Sequence, residues 1–225
     1  MKVSIHQPNY LPGIGYFSKI LKSDIHLFLD NVEYSKGDFI NRNKICINNS
    51  EYFLTVPVSK KHSNSLINSI PLPVDSNWKN KHILTITQNY KKCDFYDEFS
   101  PPILNCIQNH EGLLCDLNIK LIKIICKLLD INSTFMKSSD CNIDQSLKST
   151  ERLICLLKEV NGSTYISGFG AKKYMDIDLF SSSGIKIKWN KFNINPYKQN
   201  SKNFIRNLSI IDLLFNNGSK SRLYL

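Results

Sequence analysis

Apolar positions in this chain come in short runs whose period changes along the sequence. Lys2–Ile5 reads as a buried strand, and Asp24–Asp30 (DIHLFLD) reads as a second strand ending in a carboxylate. Between them Gly15–Lys22 has helical spacing, with Phe17, Ile20 and Leu21 able to face inward. Strand, loop, helix, strand is a βαβ unit, which implies a parallel sheet with a right-handed crossover. Lys44–Ile47 and Tyr52–Val58 flank the polar Asn48–Glu51 and predict a hairpin, followed by a polar loop over Ser59–Ser69. Helical patterns cover Trp78–Tyr90, Pro101–His110 and Leu113–Leu129, the last two joined at Gly112. Thr134–Lys137 predicts a short strand, and Ser149–Val160 an amphipathic helix with Leu153, Leu156 and Leu157 on one face. Thr164–Ser167 and Ile185–Trp189 predict two more strands, and Ile210–Phe215 a late helix stopped near Asn217-Gly218. The alternation predicts an α/β fold: one domain over residues 1–225, with a parallel-sheet, Rossmann-like core, an inserted hairpin and a predominantly helical elaboration at about 78–129.

Composition narrows the classes. At 42% hydrophobic and 11% aromatic, 225 residues can bury a substantial core. The longest apolar stretch, Leu113–Leu129, is broken by Asp116, Asn118, Lys120, Lys123 and Lys127, so nothing approaches the roughly 18 residues of a membrane span. Lys2 is followed by too few apolar residues for a secretory signal, and the expected location is the cytoplasm. The seven cysteines contain no CxxC pair and read as reduced thiols; no ligand cluster predicts a metal site. The net charge of +10 points to anionic partners. That charge is mostly lysine and is dispersed, with no Arg-rich helix, so nucleic acid is not the expected partner and a phosphate-bearing small molecule is.

Five stretches carry candidate chemistry. In "VSIHQPNYLPGIGYFSKI" the first strand opens on His6, Gln7, Asn9 and Tyr10. Gly15 there permits close backbone approach, and Tyr16 and Lys19 follow on the helix, so the loop is a candidate phosphate cradle or a plain turn. "FLDNVEYSKGDFINRNKI" supplies Asp30, Tyr34, Asn41 and Arg42 as substrate-orienting groups. In "SNWKNKHI" Trp78 and His82 are four apart and share a helix face. In "SLKSTERLI" Ser149 or Thr150 can cap a helix, while Arg152 opposes the helix dipole unless an anion sits there. "YISGFGAKKYMD" ends a strand in Gly168-Phe169-Gly170, where a ligand could come close.

In this order the stretches resemble the WbqC-like protein family, through "HQPNYLPGIGYFSKI", "FLDNVEYSKGDFINRNKI", "LTVPV", "WKNKH", "STERL", "YISGFGAKKY" and "LSIIDLLFNNG". Gly13 stands where the family carries a bulky aromatic. The resemblance implies a role in bacterial surface-polysaccharide, or O-antigen, assembly. A looser similarity is to nucleotidyltransferase-like α/β enzymes, which carry P-x-H-x-G-H after strand one and S-S-T-x-x-R at a later helix start. Here Pro12-Gly13-Ile14-Gly15-Tyr16 and Lys148-Ser149-Thr150-Glu151-Arg152 occupy those places, with Tyr16 in place of a histidine and Arg152 one residue early.

Together these resemblances imply ATP-dependent acyl or aminoacyl transfer to an amino sugar, held as a nucleotide-sugar, through an adenylate. Magnesium would accompany the ATP. The expected catalytic residues are His6, Arg152 and His82, the last as general base. Gln7, Tyr10, Gly15, Tyr16, Lys19, Ser149, Thr150, Gly168 and Gly170 are expected at the nucleotide, and Asn9, Asp30, Tyr34, Asn41, Arg42 and Trp78 at the substrate. Two alternatives stand beside this: another group transfer on a nucleotide-sugar, and a non-catalytic binding or assembly protein.

Overall fold

The short apolar runs become the strands of one parallel sheet in a computed structural model that describes residues 1–225. In chain order the elements are β1 (Lys2–His6), α1 (Ile14–Leu21), β2 (Ile25–Phe28), β3 (Arg42–Ile47), β4 (Ser50–Thr55), α2 (Asn77–Tyr90), α3 (Tyr96–Asn109), α4 (Leu114–Leu128), β5 (Thr134–Lys137), α5 (Ser149–Glu159), β6 (Thr164–Gly168), α6 (Ile177–Ser182), β7 (Lys186–Asn190) and α7 (Ile210–Asn217). Where a single domain is expected from the sequence, the chain forms two compact units, each drawn from three stretches. Met1–Gln7, Ser18–Asp30 and Asn132–Asn193 make the first, and Pro8–Phe17, Asn31–Ile131 and Ile194–Leu225 the second.

The first unit holds the five-stranded sheet, in the order β5-β2-β1-β6-β7, with every neighbouring pair parallel. Because side chains alternate along a strand, Val3, Ile5, Ile25 and Leu27 share one face. They pack with Ile154, Leu156 and Leu157 of α5, and with Tyr165 and Phe180, whose rings stack at 5.6 Å. Ser4, His6, His26 and Phe28 fall on the other face. α6 was not evident in the sequence; Asp176 caps it, accepting from the Leu179 amide at 3.0 Å. Gly162 is needed sterically: a Cβ there would lie 2.7 Å from Val3 Cγ2 and 3.1 Å from the Leu157 carbonyl. Gly162→Ala is expected to cost about 1–3 kcal/mol by overpacking. A urea midpoint equal to that of the unsubstituted protein would refute this.

The second unit holds the hairpin and the helical run. Ile47 pairs with Ser50, so the turn is only Asn48-Asn49, both left-handed at φ 48° and 63°. It is tighter than the four polar residues suggest, as the twist of paired strands favours. α3 begins before Pro101 rather than at it, so Pro101 and Pro102 lie inside the helix. Tyr96 and Phe99 are buried, and the Tyr96 ring packs on Phe215 at 5.3 Å. The carbonyls deprived of a donor belong to the exposed Asp97 and Glu98, where water can replace it. All seven cysteines are free thiols, and no helix is long and apolar enough to cross a membrane.

Candidate functional site

In a parallel sheet, ligands bind beyond the C-terminal strand ends where the strand order reverses. From β1 the chain steps outward to β2 and β5, then returns to the far side of β1 for β6 and β7. The reversal therefore lies between β1 and β6. Val3 pairs with Tyr165 and Ser4 with Ile166, so continuing the register sets His6 level with Gly168. α5 connects β5 to β6, and its N-terminus consequently lies at this same end of the sheet.

His6 and Gln7 leave β1 partly exposed. His6 Nδ1 lies 3.0 Å from the Gln7 carbonyl, which can only accept, so Nδ1 carries the proton and Nε2 the lone pair. Desolvation, with Lys19 adding, lowers the His6 pKa to about 3 against the opposing Gln7 bond. Lys19 is buried, and desolvation lowers its pKa to about 7. Behind them is a fixed hydrogen-bond chain. Ser23 Oγ donates to the Lys19 and Ile20 carbonyls, which orients Ser4 Oγ to donate to Ser23 at 2.7 Å. Ser4 then accepts from His26 Nδ1 at 2.8 Å. Burial, with Lys19 and His6 adding, holds His26 neutral.

On the β6 side, Gly168 has ordinary extended dihedrals, φ −72° and ψ 149°, and Gly170 has no positive φ. A Cβ on either would meet nothing within 4 Å. Neither backbone strain nor packing calls for glycine here, in contrast to Gly162. At the end of β7, Lys22 Nζ donates to Ser18 Oγ at 2.7 Å and to Asn190 Oδ1 at 2.8 Å. Desolvation, then Lys188, lowers the Lys22 pKa. Trp189 lines a shallow apolar groove of about 570 Å³ with Ile177, Phe180, Ile185 and Ile187.

Of the residues singled out in the sequence, this unit brings together His6, Gln7, Gly168 and Gly170 at neighbouring strand ends, with Ser149, Thr150 and Arg152 at the start of α5, while Lys19 sits in the last turn of α1. Several are occupied. Arg152 donates to the Gln145 carbonyl at 3.3 Å, the Leu147 carbonyl at 3.4 Å and Gln145 Oε1 at 3.1 Å. Its guanidinium therefore closes the loop before α5, and this, rather than an anion, accounts for a cation at the helix start. Neither Ser149 nor Thr150 caps α5: Lys148 is the N-cap and no side chain bonds there. Thr150 Oγ1 accepts from the Asp176 amide at 3.0 Å, and Ser149 sits at φ 49°. Asp30 accepts from Ser138 Oγ, the Ser139 amide and Ser139 Oγ at 3.0, 2.9 and 2.6 Å, clasping β2 to β5.

The other predicted residues lie in the second unit. Asn9 and Gly15 are partly exposed, while Tyr10, Tyr16, Tyr34, Asn41, Trp78 and His82 are buried. The loop that follows Gln7 is fastened there by amides. Asn118 donates to the Pro8 carbonyl at 2.9 Å and Asn43 to that of Leu11 at 2.8 Å. Ser209 Oγ also donates to the Leu11 carbonyl, at 2.7 Å.

His82 Nε2 faces the Thr55 carbonyl at 3.2 Å and must donate, so Nδ1 accepts from Tyr10 OH at 2.9 Å. Both ring nitrogens are used, which leaves none for the general base expected of His82; burial lowers its pKa to about 4. Tyr16 is buried, and desolvation raises its phenol pKa, with Cys126 and Cys115 adding. Tyr34 OH donates to Asn41 Oδ1 at 2.9 Å, and Asn41 Nδ2 to the Val56 carbonyl at 2.8 Å. Arg42 donates to the Gly37 carbonyl and lies 4.6 Å from the Phe53 ring centre. Trp78 Nε1 is buried without a partner.

No group of three or more His, Cys, Asp and Glu side chains is arranged to hold a metal ion. His26, Ser4, Lys22, Asn190, Phe169 and Trp189 were missed in the sequence. Their signal is positional: each lies on a strand, just beyond a strand end or just past the helix between the first two strands.

The chain belongs to the WbqC-like protein family, whose model it matches over residues 7–224. A relative from Mycobacterium tuberculosis, described as "Uncharacterized protein Rv1507c", is 31% identical over 228 residues, covering 100% of this chain and 97% of the relative. No solved structure matches the chain significantly.

Proposed function

We propose that the protein is an enzyme of bacterial surface-polysaccharide assembly that acylates or aminoacylates the amine of a nucleotide-linked sugar. The observation that supports this most is the reversal of strand order between β1 and β6, a place where parallel sheets leave a crevice for ligands: His6 and Gln7 leave β1 level with Gly168, and a Cβ on Gly168 or Gly170 would meet only open space. A carboxylate attacks the α-phosphorus of ATP to give an acyl-adenylate and pyrophosphate. The sugar amine then attacks the acyl carbon, forming the amide and releasing AMP. The phosphates lie along Gly168 and Gly170, whose missing side chains leave backbone within reach. Lys19 neutralises their charge, and Gln7 orients the substrate by hydrogen bonds. His6 presents Nε2 as the acceptor for the proton that the amine loses. An anion seated here favours the protonated forms of Lys19 and His6, reversing the effect of desolvation on both. The residues do not form a magnesium cage; magnesium would arrive as the nucleotide's counter-ion.

Incubating the protein with ATP and the right carboxylate should release up to one equivalent of pyrophosphate, and AMP with continued turnover should appear only when the amino-nucleotide-sugar is also present. Lys19→Met should lower the rate at least about 100-fold, the scale of losing one preorganised charge partner. Product without AMP would replace the adenylate by another group transfer. Ligand binding with no product under any combination would leave a binding protein.

A further inference from the structure

The sequence Gly168-Phe169-Gly170 places one large aromatic between two glycines that the fold does not require. Phe169 is 51% exposed, directly beyond the C-terminal end of β6. Half of this apolar side chain remains in water, which is unfavourable for folding, so packing accounts for only part of its placement. Its ring centre lies 5.9 Å from that of Trp189, with the planes inclined at 51°. Trp189 is itself only partly covered, because it borders the open groove beside α6. Ser167 pairs with Trp189 and Gly168 with Asn190, so Trp189 stands on the neighbouring edge strand, level with the end of β6 from which Phe169 follows. Lys172 and Lys173 follow within the same turn and are exposed. An exposed ring pair, vacant backbone on both sides and nearby cations suit a flat aromatic group joined to phosphates.

We infer that Phe169 and Trp189 form the base-binding wall of the crevice, with the nucleobase of the nucleotide packed against Phe169 and its phosphates over Gly168 and Gly170. This rests on the nucleotide reading of the crevice proposed above. Stacking on an aromatic face tolerates different bases, since each offers a flat π surface. Phe169 therefore supplies affinity for a nucleotide over a bare phosphate, rather than selection among bases.

Calorimetric titration with a panel of nucleoside diphosphates, with pyrophosphate and with a hexosamine 1-phosphate tests this. The unsubstituted protein should bind at least one nucleoside diphosphate about tenfold more tightly than pyrophosphate. Phe169→Ala should abolish that difference and leave pyrophosphate affinity within about twofold, while Phe169→Trp restores it. The exposed position makes loss of folding an unsuitable explanation, and an unchanged circular dichroism melt confirms this. The inference is overturned if Phe169→Ala binds the nucleoside diphosphate as the unsubstituted protein does. It is equally overturned if pyrophosphate and nucleotide bind alike, or if the sugar phosphate alone depends on Phe169. Failure of every ligand, pyrophosphate included, would instead overturn the nucleotide reading of the crevice and this inference with it.

Discussion

Acidification from pH 7 to about 4.5 should unfold the protein, and raising the pH to about 8 should stabilise it further. Three histidines fold in the neutral state. Burial lowers the pKa of His6 to about 3 and of His82 to about 4, and holds that of His26 well below its ordinary 6.5. In each case the folded state binds fewer protons than the unfolded state below that ordinary value. Their stabilisation is complete above pH 6.5 and is lost as the pH falls toward the folded values. With all three titrating in the unfolded chain, the loss reaches about 4 kcal/mol per pH unit, against a total stability of about 5–15 kcal/mol.

Asp212 acts the other way. Its pKa is raised by burial, so its protonation favours the fold, but it is one group against three. Lys19 extends the trend to the alkaline side: folded near 7 and ordinarily 10.5, it adds about 1.4 kcal/mol per pH unit across that window. The climb ends near pH 9, where Cys46, Cys93, Cys106, Cys126 and Cys141, all raised by burial, begin to ionise in the unfolded chain, followed near pH 10 by Tyr10, Tyr90 and Tyr197. Urea midpoints at pH 5, 7 and 8 should rise in that order, and His82→Gln should flatten the acid limb. Equal midpoints at pH 5 and 7 would remove the histidine explanation.

Local pattern and distant partner account for what was legible in the sequence and what was not. β1, β2 and β6 are legible as short, mostly apolar runs bounded by polar turns, and βαβ order implies the parallel sheet. His6, Gln7 and Gly168 were legible because strand ends in such a sheet are where ligands bind. The roles of the residues around them depend on partners far along the chain. The prolines and tyrosines after Gln7 hold a loop whose amide clamps, Asn118 to Pro8 and Ser209 to Leu11, reach across 110 and 198 residues. No local window contains them. Arg152 and His82 carried the right chemistry at the right helical spacing, but spacing does not reveal which carbonyl occupies the donor. Phe169 was passed over for the opposite reason: an apolar residue reads as core until its exposure is known. α3 was started too late because a proline rule that is sound locally yielded to the burial of Tyr96 and Phe99.

Replacing Asp212 by alanine should cost about 3–5 kcal/mol, the scale of breaking a buried charged network by removing one member. Asp212 is fully buried in the first turn of α7. Its Oδ1 accepts from Tyr90 OH at 2.9 Å, and its Oδ2 accepts from Tyr197 OH at 2.8 Å and Gln199 Nε2 at 2.9 Å. Tyr90 OH in turn accepts from the Cys46 amide at 2.9 Å, so the carboxylate links α2, β3 and the irregular segment before α7. Gln199 completes the fastening by bonding both the amide and the carbonyl of Ile205, at 2.8 and 3.0 Å. Truncation leaves two buried phenols without an acceptor, each a desolvation cost of about 1–3 kcal/mol, and removes one of the two bonds donated by the half-buried Gln199 amide. Asp212→Asn should cost less. Its remaining oxygen still accepts from one donor, and a tyrosine hydroxyl can rotate to accept from the new amide, whereas Gln199 Nε2 cannot. The segment from residue 191 to 209 should therefore become protease-sensitive in Asp212→Ala before the rest of the second unit does, and remain largely protected in Asp212→Asn. An Asp212→Ala protein within about 1 kcal/mol of the original, with that segment uncut, would show that the network closes the fold without stabilising it.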